Sequence, residues 1–309
     1  MKKRIGSLFL VLALCLTLLP ATVLAEGPTP VSKLDFHSDP PSSVTECNIR
    51  DGGTAKWEPG TGGAPNKLTL DNVVMNDDYY IVRVPANTEI VLIGMNKITA
   101  TNGTAIWAQG GPLKISGAGS LEVTAPSGQN ALWSNTSSID VNIDGALTVK
   151  GNIRAEDGIL SLQSDDDISV SGSMYGKQKI TATAGKSLNI TNTTGSAVFA
   201  SSCTEVSLTA RDDNLTVSGT GNDYACGIYG STSVSDGTAL KLHASGDVSV
   251  TGTQYSMRGT ALELSGTVPG NSKLTAYYTS SLTVPAGKTL INNGTIKLVK
   301  YPGAVTVSG

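Results

Sequence analysis

The chain has 309 residues, a formal net charge of −3, 35 glycines and only 5% aromatic residues. Removing an N-terminal leader would take away Lys2, Lys3 and Arg4 and leave a net charge near −6, with no basic stripe to meet a nucleic-acid backbone. One elongated domain or two compact ones fit the length.

The leader comes first. Lys2, Lys3 and Arg4 precede an apolar run from Ile5 to Leu19, then Pro20 and a Val23-Leu24-Ala25 ending. This is the pattern of a secretory signal peptide over residues 1–25, cleaved after Ala25. A retained membrane helix needs about 20 apolar residues, and this run is shorter and broken by Pro20. The expected mature protein is therefore secreted, either extracellular or associated with the cell wall, without a membrane span.

Residues 26–66 carry Pro28, Pro30, Pro40, Pro41, Pro59 and Pro65 and read as a linker followed by an N-terminal cap. From Lys67 to Val299, short apolar-x-apolar strands recur between Gly, Asn, Ser and Asp clusters, with no helical period. Ile106, Leu113 and Leu121 are offset by 7 and 15, and Leu132, Ile139 and Leu147 repeat both offsets 26 residues later. Val198, Val206 and Leu215, then Ile228, Leu240 and Val248, keep the same three-strand order with longer corners. Such fixed-period self-similarity predicts an all-β fold, a right-handed parallel β-helix (solenoid) of about three strands per coil over residues 67–299. A two-sheet sandwich gives no reason for shared offsets. Residues 300–309 form a C-terminal tail.

Three cysteines fall in the mature chain. An odd count rules out a complete disulfide framework, although Cys203 and Cys226 stand about one coil apart. Two small buried apolar side chains is the competing reading of that pair.

Metal and acid-base chemistry have little to work with. Asp165, Asp166 and Asp167 are weak calcium candidates, because calcium takes several oxygen ligands but neighbours on a strand or turn do not all face one ion. Otherwise no cofactor is expected, and the scattered cysteines and histidines give no zinc spacing. Asp77-Asp78 and Asp212-Asp213 read as turn residues rather than catalytic pairs. His37 and His243 read as solvated surface groups, His243 being outward by alternation after Leu240-Lys241-Leu242.

The positive signal is aromatic. Trp107, Trp133, Phe199 and Tyr229 each follow an inward marker, in Ala-Ile-Trp, Ala-Leu-Trp, Ala-Val-Phe and Gly-Ile-Tyr. Alternation turns all four outward on one face, where ring faces could support sugar rings. Packing against a corner loop is the competing reading, and Leu160 after Ile159 occupies the same slot. If the two tryptophans are exposed, their truncation should cost little stability.

Trp57, Lys67 to Val73 (KLTLDNV), Ile90 to Thr99 (IVLIGMNKIT), Thr104 to Trp107 (TAIW), Leu113 to Ala125 (LKISGAGSLEVTA) and Leu282 to Ile296 (LTVPAGKTLINNGTI) resemble a known family. It comprises secreted carbohydrate-binding-domain-containing β-helix repeat proteins of Gram-positive anaerobes. The resemblance implies a cell-surface β-helix with a polysaccharide or glycan partner, and calcium in some members. It leads to a non-catalytic carbohydrate-binding protein. A structural or adhesive surface protein is the alternative, and a β-helix polysaccharide lyase or hydrolase the second. The Asn-Thr-Asp and Gly-His-Gly stretches of polygalacturonase-like enzymes and the Arg-x-x-Pro-x-x-Arg of pectate-lyase-like ones do not occur.

Overall fold

A computed structural model describes residues 29–233, 237–300 and 304–308, so the expected signal peptide lies outside the described residues. The described chain is all-β, with parallel strands stacked into a solenoid of about ten coils. Val31–Gly309 falls in one compact unit.

Three strands per coil build three ladders. The first sheet contains Val82–Pro85, Ile106–Gln109, Asn130–Ser134, Asn152–Ala155 and their successors up to Thr295–Val299. A second runs through Asn66–Asp71, Thr88–Ile93, Leu113–Gly117, Ile139–Ile143 and onward, and a third through Val74–Asp77, Met95–Ala100, Ser120–Thr124 and onward. The second and third merge where one long strand, Ala239–Gly252, pairs with both Glu205–Ala210 and Leu215–Gly219.

Register follows the sequence offsets. Ile106 pairs with Leu132, Leu113 with Ile139 and Leu121 with Leu147, and further along the third sheet Leu215 pairs with Val248. Because strand side chains alternate, one member of each pair of neighbours enters the core. On the second sheet Ile90, Ile115, Val141 and Leu162 stack as one buried inward ladder. The corner between the second and third sheets is tight. A Cβ added at Gly119 would lie 2.6 Å from the carbonyl oxygen of Gly94 in the coil before, which only glycine avoids.

Antiparallel strands cover part of each end, where strand edges would otherwise stay unpaired. At the N-terminal end Thr45–Asn48, Thr54–Glu58 and Asn66–Asp71 form an antiparallel meander. Leu34–Asp35 already pairs in parallel with Val82–Pro85, so the first sheet begins within the proline-rich stretch expected to be a linker and cap. At the other end Ala304–Ser308 turns back antiparallel to Thr295–Val299.

One expected slot is corrected here. Leu160 pairs with Ile139 and is fully buried on the second sheet, whereas Ile159 is exposed. The first-sheet strand of that coil is Asn152–Ala155, which follows Lys150 after a one-residue corner at Gly151, whose φ of 125° suits glycine.

Cys47, Cys203 and Cys226 are all free thiols, the last two buried. Burial pushes the Cys203 thiol up to about 12, and its Sγ lies 3.0 Å from the Gly176 carbonyl oxygen as a donor. Thiolate is the reactive form. Of these three described thiols, a modifying reagent should therefore label only Cys47 in the native protein and all three after unfolding. Rapid native labelling of Cys203 would contradict this packing.

Candidate functional site

On each first-sheet strand a buried aliphatic residue is followed by an outward one. Ile106, Leu132, Ile153, Met174, Val198 and Ile228 face the core. Parallel register then fixes the outward column. Arg83 pairs with Trp107, Trp107 with Trp133, and Trp133 with Arg154. Arg154 pairs with Tyr175, Tyr175 with Phe199, Phe199 with Tyr229, and Tyr229 with Arg258. All four sequence-predicted aromatics stand in one column. Tyr175 and Arg154 were missed because Met174-Tyr175 and Ile153-Arg154 follow irregular corners that break the period, and Arg83 and Arg258 because the pattern read from the sequence was aromatic alone.

Strands about 4.8 Å apart bring flat side chains to stacking distance. Trp107 and Trp133 have centroids 4.9 Å apart at 15°, and Phe199 and Tyr229 lie 5.1 Å apart at 6°. Tyr175 continues the second group, 6.0 Å from Phe199. The guanidinium carbons of Arg83, Arg154 and Arg258 lie 4.7, 4.9 and 4.2 Å over Trp107, Tyr175 and Tyr229, within cation–π range.

Stacking uses up ring faces. Trp107 lies between Arg83 and Trp133, with Tyr80 tilted against it at 4.9 Å, and is only 9% exposed. Phe199 lies between Tyr175 and Tyr229 and is 36% exposed. The expectation of a platform of free ring faces is therefore corrected: these rings point outward, but the column offers their edges. Nε1 of Trp107 and of Trp133 is shielded and has no hydrogen-bond partner.

The arginines are held in place by polar partners. Arg83 donates from Nε to Gln109 Oε1 at 3.1 Å and pairs with Asp35 at 3.4 Å. Arg154 pairs with Glu156, and Arg258 Nη2 lies 3.5 Å from Thr232 Oγ1. Beside the middle of the column a cavity of about 330 Å³ is lined by Asn152, Ile153, Arg154, Ser173, Tyr175 and Phe199. That volume is at the small end for ligand sites. It combines one cation, two ring edges and small polar groups.

The acidic triplet does not converge. Asp165 lies 3.7 Å from Arg211, Asp166 pairs with Lys186 at 2.8 Å, and Asp167 accepts the Ser187 backbone N–H at 2.9 Å. The hydrogen bond from Lys186 holds the Asp166 carboxyl below its usual range. No group of three or more His, Cys, Asp or Glu positioned for a metal occurs among the described residues. At Asp77, a hydrogen bond from Ser32 is the largest cause that lowers the carboxyl to about 2.

His243 points outward as expected but is not freely solvated. Its ring is 19% exposed, with Nδ1 3.0 Å from Ser265 Oγ and Nε2 3.0 Å from Glu263 Oε1. His37 is half-buried, and its backbone N–H donates to Asp35.

No protein-family model, curated protein or solved structure matches the chain.

Proposed function

We propose that the chain is an exported solenoid that binds a polysaccharide along its aromatic–arginine column without cleaving glycosidic bonds. The observation that supports this most is the run of five aromatics, Trp107, Trp133, Tyr175, Phe199 and Tyr229, in one outward column. Folding a solenoid does not call for it: the outward column Thr148, Ser169, Asn189, Thr216 and Ser249 on the third sheet is small and polar. Ring edges and guanidinium donors repeated at about 4.8 Å form a line, which suits a linear polymer. The Arg154–Tyr175–Phe199 cavity gives that line one recessed subsite. The sequence resemblance to secreted carbohydrate-binding repeat proteins points the same way.

A structural or adhesive role is the second reading, favoured by the rings' stacking on one another. Affinity gels and pull-downs on a panel of neutral and uronate-containing polysaccharides distinguish the two. Phe199→Ala and Tyr229→Ala should each weaken binding about 5- to 30-fold, equivalent to about 1–2 kcal/mol. Neither reducing sugar nor unsaturated uronate should be released. If the variants melt lower yet bind every polymer as the parent does, the column is structural and the glycan reading fails.

A further inference from the structure

The second sheet holds a cluster that the aromatic column does not involve. Ala239–Gly252 and Ala261–Val268 pair in parallel, with Lys241 opposite Glu263 and His243 opposite Ser265. Leu242 and Leu264 are buried, so alternation turns His243, Glu263 and Ser265 to the same outer face. Two residues apart on one strand, Glu263 and Ser265 flank the imidazole from the neighbouring coil. Nε2 lies 3.0 Å from Glu263 Oε1 and Nδ1 lies 3.0 Å from Ser265 Oγ.

These partners select a tautomer. A carboxylate only accepts, so Nε2 carries the proton and donates to Glu263. Nδ1 then keeps its lone pair and accepts the Ser265 hydroxyl. A serine, a base that takes its proton and a carboxylate that orients the base are the three parts of an activated nucleophile. A cavity of about 330 Å³ opens over the serine and the imidazole, lined by His243 and Ser265 together with Thr209, Arg211, Lys288 and Thr289. Ser265 is 2% exposed, so access is through this cavity and favours a small acyl group. Arg211, 3.7 Å from Asp165, and Lys288 bring positive charge to the cavity. The adjacent Gly266 N–H is already given to the Thr289 carbonyl at 2.9 Å, which leaves oxyanion stabilisation to those two cations.

We propose that Ser265, His243 and Glu263 form a hydrolytic site for short-chain carboxylic esters. Ser265 Oγ bonds to the acyl carbon while its proton passes to Nδ1 of His243. The ester C–O bond then breaks, and the departing alcohol takes that proton. Water attacks the acyl-serine and gives a proton to Nδ1. Ser265 Oγ leaves, recovers the proton, and the carboxylic acid is released. This site lies on a different sheet from the aromatic column, so either can fail without the other.

The test uses the full chain with a fluorophosphonate probe and, separately, 4-nitrophenyl acetate. Intact mass should show one covalent adduct, and peptide mapping should place it on Ser265. Ser265→Ala should lose the adduct, and His243→Asn should slow ester hydrolysis about 100-fold. Glu263→Gln should slow it less, because it keeps an acceptor for Nε2–H. Absence of an adduct on Ser265 in the parent protein, a measurement that needs no variant, would overturn the proposal. So would a parental hydrolysis rate in a folded Ser265→Ala protein.

Discussion

Replacing Trp57 by alanine is expected to destabilise the N-terminal end of the solenoid by about 3–5 kcal/mol, the usual cost of removing a buried tryptophan. Trp57 is 1% exposed, stacks on Phe36 at 4.7 Å and donates from Nε1 to the Pro41 carbonyl at 2.9 Å. Its strand, Thr54–Glu58, pairs on both sides, so it joins Thr45–Asn48 to Asn66–Asp71. Removing the ring opens a cavity against the first coil and leaves the Pro41 carbonyl without that donor. In a stack where each coil contacts only its neighbours, the loss stays near the end it affects. Hydrogen exchange should show early opening of residues 45–71, while the strand Ile139–Ile143 keeps its protection. Uniform loosening along the whole stack would contradict this localised role.

Trp107→Ala is expected to cost about 2–4.5 kcal/mol, against the small loss that an exposed ring implies. Burying a large apolar side chain contributes about 1.5–3 kcal/mol, and the stack on Trp133 about 0.5–1.5 more. The Arg83 guanidinium would also lose its ring partner. Trp133 is more exposed than Trp107, so Trp133→Ala should cost less. The double variant should be less destabilised than the sum, by the stacking energy they share. Urea unfolding of the four proteins reads this coupling directly. A Trp107→Ala loss below about 0.5 kcal/mol would mean that the ring has a packing partner it can lose freely, and the column would not be a stability element.

The same geometry separates the roles along the column. Trp107, with both faces covered and an edge mostly hidden, mainly holds coils together. Phe199, also covered on both faces but 36% exposed, keeps an edge beside the Arg154–Tyr175 cavity. A ligand is therefore expected to depend on Phe199 more than on Trp107. Truncation of Trp107 should act on binding mainly through the strand positions it stabilises.

The sequence by itself determined the solenoid. Offsets of 7 and 15 and a step of 26 recur because each coil must place one aliphatic residue over the last. That requirement is local and periodic, so it is written into the chain. The outward direction of Trp107, Trp133, Phe199 and Tyr229 was legible for the same reason, since alternation from an inward marker fixes it. Corners obey no such rule. The one-residue corner at Gly151 put Arg154 in the column and sent Leu160 to another sheet. Only the tertiary structure decided how far each outward ring is covered, because that depends on the residue one coil away. It also decided the Ser265–His243–Glu263 contact. Ser265 and His243 are 22 residues apart and belong to no spacing motif. Parallel register alone brings them face to face, and register over an irregular corner is settled by packing rather than by sequence period.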